Sequence, residues 1–164
     1  DAGDKKPAVL SVFGGKITTY RKLSEHVLEK LKPHLRFKRD EWTDQDVLPG
    51  GNFNVLAFEE EVSALQAHYP FLDKTFATRL IRLYGTDARS ILGKSAQLSD
   101  LGQLFGYNLY EAEVKWLVSR EWARTAEDVL WRRTKLGLRL SEVETAALDD
   151  YLSAHLAQLV GTAA

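Results

Sequence analysis

The sequence predicts a mainly α-helical protein, a helical bundle preceded by a single strand–turn–helix unit. Three observations carry that expectation. Apolar residues recur at helical spacing from about Val55 onward, in stretches separated by Pro70, Gly85, Gly93 and Gly137. Two segments, Thr125-Ala126-Glu127-Asp128 and Ser141-Glu142-Val143-Glu144, have capping-box form. One run, Val9-Leu10-Ser11-Val12-Phe13, is compact and β-rich, and reads as a buried strand.

Gly14-Gly15 turns the chain after that strand. Thr18 or Thr19 then caps a helix whose apolar positions are Tyr20, Leu23, Val27, Leu28 and Leu31, and Pro33 ends it. Residues 34–54 show no sustained period. They hold Arg36-Phe37-Lys38-Arg39, Trp42 and the turn Pro49-Gly50-Gly51, and suit a linker or short edge strands. Next, Phe58, Val62, Leu65 and Tyr69 form one helix face, stopped by Pro70. Asp73 caps a helix through Phe76, Leu80, Leu83 and Tyr84, and Asp87 opens a short one through Ile91. A connector over 94–108 leads to a helix marked by Val114, Leu117 and Val118. The first capping box starts a helix ending near Gly137, and the second opens a long helix through Leu148, Leu152, Leu156 and Leu159. A lone strand leaves both edges unpaired, so its sheet is expected to belong to sequence outside this chain.

Composition narrows the classes. The 164 residues carry 22 Lys plus Arg against 23 Asp plus Glu, a formal net charge of −1. That balance argues against a dedicated nucleic-acid binder, which shows a basic excess. Hydrophobic residues at 45% exclude a disordered tail or low-complexity scaffold. The absence of cysteine removes disulfides, thiolate nucleophiles and Cys-ligated metal sites. The chain opens on Asp1 and contains no Met, which reads as a piece of a longer or processed protein. No apolar run approaches the roughly 18 residues of a membrane-spanning helix. Lys5-Lys6 before a short apolar stretch lacks the cleavage pattern of a signal peptide.

Most catalytic signatures are missing. There is no G-x-G-x-x-G, no G-x-S-x-G, and His26, His34, His68 and His155 lack metal-ligand spacing. Gly15-Lys16 resembles the end of a phosphate loop, but Leu10 and Ile17 stand where Gly and Ser/Thr are needed. What remains is Phe13-Gly14-Gly15-Lys16-Ile17-Thr18-Thr19-Tyr20-Arg21. A glycine pair admits close backbone approach, the first helical amides point outward unpaired, and Lys16 adds a cation. Such an end suits a phosphate, a carboxylate or the electron-rich edge of a flavin; a plain tight turn with a solvated lysine fits the same residues. The segment Arg120 to Gly137 reads as a helix–cap–helix junction with mixed charges on its wet face.

Resemblance sharpens these alternatives. Leu10 to Leu23, LSVFGGKITTYRKL, resembles the flavin-contacting segment of the FAD-dependent glycerol-3-phosphate dehydrogenases. Glu121-Trp122-Ala123-Arg124-Thr125 through Trp131-Arg132-Arg133-Thr134-Lys135-Leu136-Gly137 is similar to the signature of that family's C-terminal helical domain. Pro49-Gly50-Gly51 and Leu83-Tyr84-Gly85-Thr86 are similar to markers lying between them in the same order. Alpha-glycerophosphate oxidase, which passes electrons to oxygen, is similar as well.

The resemblance implies an enzyme oxidising sn-glycerol 3-phosphate to dihydroxyacetone phosphate through FAD and on to quinone. It implies a cytoplasmic protein, peripheral on the inner face of the bacterial membrane. Residues 1–54 would be the edge of a FAD-binding α/β domain plus linker, and 55–164 an accessory helical domain. The partners implied are N-terminal FAD and substrate domains of the same chain, with the helical part packing on them or on a second subunit of a homodimer. By position, Gly14, Gly15, Lys16, Ile17 and Thr18 would face the flavin, and Lys16 would also meet the substrate's anionic groups. No catalytic residue and no metal ligand is carried over. This stretch alone is expected to hold no FAD and to be inactive. The alternative is a free-standing helical interaction module whose Gly-Gly-Lys turn is only structural.

Overall fold

The structure, a computed structural model, describes residues 7–36 and 42–161. The chain divides into two compact units, Asp1–Val47 and Leu48–Ala164. Lys5, Lys6, Phe37, Lys38 and Arg39 lie outside the described residues.

In the first unit the expected strand does not form. Val9–Phe13 has no ladder partner among the described residues, and Val9 and Phe13 are 87% and 94% exposed. An extended segment becomes a strand only by exchanging backbone hydrogen bonds with a neighbour, and no described segment offers that edge. A 3₁₀ turn, Ile17–Thr19, leads directly into α1, Tyr20–Leu31. The expected threonine cap is also absent: the Thr19 hydroxyl donates backward to the Lys16 carbonyl at 2.9 Å rather than accepting from the helix. Leu23, Val27 and Leu31 form the half-buried stripe of α1, and its buried residue is Glu25. Arg21 and Lys22 donate to that carboxylate at 2.8 and 2.9 Å, and the Thr43 hydroxyl donates at 2.6 Å. The Thr43 bond, then Lys22, lowers the Glu25 carboxyl from 4.5 to about 2.

The second unit has a conventional core. Its helices are α2 (Phe58–His68), α3 (Lys74–Tyr84), α4 (Ala88–Leu92), α5 (Glu111–Arg120) and α6 (Glu142–Gly161). The caps read from sequence are in place. Asp73 accepts from the Phe76 amide at 2.7 Å, and the Ser141 and Glu144 backbone amides bond each other's side chains at 2.7 and 3.3 Å. Helix α2 packs on α3, and α5 packs on α6. Leu65, Leu80, Leu117, Leu148 and Leu152 are buried where they meet. Each such side chain contributes about 1.5–3 kcal/mol through burial.

Two features of this unit had no periodic signal. The connector over 94–108 contains β1 (Leu104–Gly106), paired antiparallel with β2 (Leu109–Tyr110). The chain reverses through Tyr107, which is held at φ 52°. The segment Asp128–Arg133 winds as a π-helix rather than an α-helix. Its capping box nevertheless forms, with Thr125 and Asp128 exchanging bonds of 3.2 Å.

Candidate functional site

The Gly14–Thr18 turn is exposed along its whole length. Gly14 and Gly15 both take positive φ, 76° and 144°, which L side chains rarely adopt. A Cβ on Gly14 would meet nothing within 4 Å, whereas one on Gly15 would press on Leu23 Cδ2 at 3.2 Å. The first backbone bond of the helical start runs from the Thr19 amide to the Lys16 carbonyl at 2.9 Å. The amides of Ile17 and Thr18 therefore precede the ladder and have no intrahelical acceptor. Lys16 and Ile17 are both exposed, Ile17 at 85%. All five residues read as a site from sequence thus fall in one continuous, solvent-facing bend.

The two markers between the ends of the chain meet each other. A Cβ on Gly50 would collide with the Tyr84 carbonyl oxygen, and one on Gly85 would collide with the Gly50 carbonyl oxygen. The Thr86 amide donates to that same Gly50 oxygen at 3.0 Å. Both glycines have positive φ, 73° and 53°. Pro49-Gly50-Gly51 and Tyr84-Gly85-Thr86 form a backbone clasp that closes on the end of α3.

The third signature is also structural at its centre. Asp128 Oδ2 accepts from the amides of Arg124 and Thr125 at 3.0 and 3.2 Å, and the Arg124 amide bond leads the lowering of its carboxyl pKa. Arg132 reaches Asp128 and Glu127 at 2.9 and 2.7 Å. Arg133 donates two bonds to the Glu121 carbonyl, at 3.1 and 2.7 Å, so it staples the π turn to the end of α5. Arg124 binds the Val118 and Ala123 carbonyls at 2.9 and 2.8 Å. Gly137 lies against the Trp131 indole, where any Cβ would clash. Trp122, at φ 56°, remains 78% exposed.

One buried polar group had no sequence signal. Arg79 on α3 makes a two-pronged contact of 2.6 Å each with Glu113 on α5, and donates to the Asn108 carbonyl at 2.9 Å. The Tyr84 hydroxyl donates to the same carboxylate at 2.7 Å. Burial is the largest influence on Arg79 and opposes its charge, but the Glu113 bond and attraction outweigh it and raise its pKa. Burial first, then the Glu113 charge, pushes the Tyr84 phenol far above its ordinary range. These partners stand 34 and 29 residues apart in sequence, beyond any local pattern. Their mutual bonding suits a structural lock between helices, although Arg79 Nε and Asn108 Oδ1 are buried there without a hydrogen-bond partner among the described residues. Among the described residues there is no metal-binding group of His, Asp and Glu, and no helix long and apolar enough to cross a membrane.

Comparison with known proteins agrees with this layout. The profile of the family described as the C-terminal domain of alpha-glycerophosphate oxidase matches residues 42–161. Aerobic glycerol-3-phosphate dehydrogenase of Escherichia coli is 43% identical over 99% of this chain and 32% of its own length. Glycerol-3-phosphate dehydrogenase of Pseudomonas aeruginosa is 44% identical over 92% of this chain and 29% of its own. D-erythritol 1-phosphate dehydrogenase of Brucella abortus is 41% identical over 87% and 28%. The chain thus spans about a third of the length of the curated relatives it matches. With that profile lying over the glycine clasp, the stapled π turn and the helices that carry them, the chain belongs to the family of the C-terminal domain of alpha-glycerophosphate oxidase.

Proposed function

We propose that this chain is the C-terminal part of a flavoprotein that oxidises sn-glycerol 3-phosphate to dihydroxyacetone phosphate. In this reading residues 1–54 border a FAD-binding domain, and 55–164 form a helical accessory domain packed on the catalytic body or a second subunit. Quinone is the electron acceptor of the complete enzyme, which works at the inner face of the bacterial membrane from the cytoplasmic side. The observation that carries the reading is the bend itself: two glycines at positive φ ahead of two amides without intrahelical acceptors.

The residues present fit a flavin. The space above Gly14 is open, and the amides of Ile17 and Thr18 precede the helical ladder. Gly14, Gly15, Lys16, Ile17 and Thr18 would hold the ring edge, the glycines by allowing backbone approach and the two amides by donating hydrogen bonds. When bound, FAD supplies acceptance of a hydride from the carbinol carbon of the substrate. Fixed amide dipoles and the Lys16 side chain favour negative charge at that edge without reorganising. Lys16 also orients the substrate's phosphate.

The exposed apolar set of Val9, Phe13, Ile17 and Tyr20 supports a docking role for the first unit, since such a patch marks an interaction surface. In the complete protein, G14V and K16A should each reduce retained flavin and dye-linked oxidation. Unchanged flavin content and rate in both would sink the reading. The isolated 164-residue chain should purify without flavin absorbance; a yellow product with bound FAD would contradict the division of labour. The similarity to D-erythritol 1-phosphate dehydrogenase favours a second reading, in which the substrate is a four-carbon polyol phosphate. Relative kcat/KM on the two phosphates decides between them.

A further inference from the structure

The helical unit contains a cleft of about 590 Å³ between one face of α3 and the segment after the π turn. Its wall carries Lys74, Arg79, Arg82, Lys135 and Arg139, and no carboxylate lines it. Two of these cations are already committed. Arg79 is locked to Glu113 at 2.6 Å, and exposed Lys74 lies 3.5 Å from exposed Glu59. The other three have no carboxylate partner among the described residues. Arg82 lies over the Phe58 ring at 6.0 Å, Arg139 lies over the Tyr107 ring at 5.6 Å, and Lys135 donates to the Trp131 carbonyl.

A protein with net charge −1 has acidic side chains enough to neutralise such a cluster. Several other cations of this unit are neutralised: Arg89 pairs with Glu61, Lys115 with Glu111, and Arg132 with Glu127 and Asp128, whereas Arg82, Lys135 and Arg139 stand together on one cleft without such a pair among the described residues. Three unneutralised cations around one concavity repel one another and are stabilised by an anion between them. Their chemistry fits phosphoryl oxygens, because guanidinium offers a planar fork and ammonium a point charge. The hydroxyl-bearing Thr75 and Thr78 line the same wall. Two residues of the cleft, Tyr107 and Lys135, hold positive φ of 52° and 61° without being glycine. That conformation is costly and is found where the position of a side chain matters.

We propose that this cleft binds a phosphoryl group, held between Arg82, Arg139 and Lys135. The group is carried either by a soluble phosphate ester or by an anionic lipid headgroup. The site is independent of the flavin reading, because it uses only side chains of the helical unit.

The test uses the full 164-residue chain, its R82Q/R139Q variant, and a charge-matched control, K94Q/R120Q, whose exposed cations lie outside the cleft. Inorganic phosphate and glycerol 3-phosphate are titrated at constant ionic strength, with thermal stability as the readout. Binding to the folded state raises Tm with saturation. The R82Q/R139Q chain should need about tenfold more phosphate or worse, given two lost charge-assisted contacts, and the control should match the parent. Sedimentation with phosphatidylglycerol vesicles forms the second arm. Vesicle binding lost in R82Q/R139Q, without a saturable response to soluble phosphates, identifies a lipid as the source. A saturable response to glycerol 3-phosphate, with vesicle binding equal in all three chains, identifies a soluble ester. No saturable binding in either arm overturns the proposal, and so does equal weakening in the two variants.

Discussion

Glycine serves two purposes in this molecule, and comparing Gly14 with Gly85 separates them. Both take positive φ. At Gly85 the chain's own Gly50 carbonyl fills the space where a Cβ would go; at Gly14 that space is open. Gly85 is required by packing that is visible, whereas Gly14 answers to backbone conformation alone within the described residues. The same contrast holds for charge. Glu113 is buried and bonded to Arg79 and Tyr84 inside the helical unit, while Lys16 faces solvent at the head of a short helical turn. The helical unit thus contains the reasons for its sequence motifs. The opening segment does not, and the docking role proposed for it rests on that difference.

Four measurements sharpen or break that contrast. The largest effect is expected for E113Q, which leaves the Arg79 charge buried without a counter-ion and should destabilise the helical unit by about 3–5 kcal/mol in denaturant unfolding. G85A should follow, at roughly 2 kcal/mol or more, because positive φ and a collision with backbone act together. A loss below 1 kcal/mol would show that the clasp opens easily. A pH effect comes next. The Glu25 carboxyl is depressed in the folded chain, so its contribution is present above the unfolded value near 4.5 and lost as pH falls toward about 2. T43A should raise that carboxyl's pKa and move the acid loss of α1 helicity to higher pH, followed by NMR titration. The smallest effect is expected for G14A, about 1 kcal/mol or less in stability, since strain is its only cost in this chain. A G14A penalty matching that of G85A would erase the distinction.

Helix positions were legible because the signals for them are local. Asp73, Thr125 with Asp128, and Ser141 with Glu144 lie within three residues of the amides they satisfy, and each cap is present. The hairpin was not legible. Strands of three and two residues cannot display an alternating period, and without one the Gly106 and Asn108 that flank Tyr107 at the turn announce no hairpin. The π winding also leaves no mark in the sequence: adjacent apolar residues such as Val129 and Leu130, both buried, carry no period that separates a π turn from an α turn. Val9–Phe13 is unpaired among the described residues, in keeping with a strand whose sheet is expected from sequence outside this chain: composition favours the strand, but pairing is supplied by neighbours. Within the site, the bend over Gly14–Thr18 was readable from a contiguous motif. The basic cleft was not, because its cations are drawn from α3 and from a segment more than fifty residues further on.

The Gly50–Gly85 clasp is built from peptide groups alone. Its bond between the Thr86 amide and the Gly50 carbonyl contains nothing that gains or loses a proton in the physiological range, and nothing for salt to screen. Acid or high ionic strength should therefore loosen the ion-paired surfaces of this unit while the C-terminal end of α3 stays fastened. Slow deuterium uptake at the Thr86 amide, persisting after neighbouring surface amides have exchanged, is the mark such a fastening would leave.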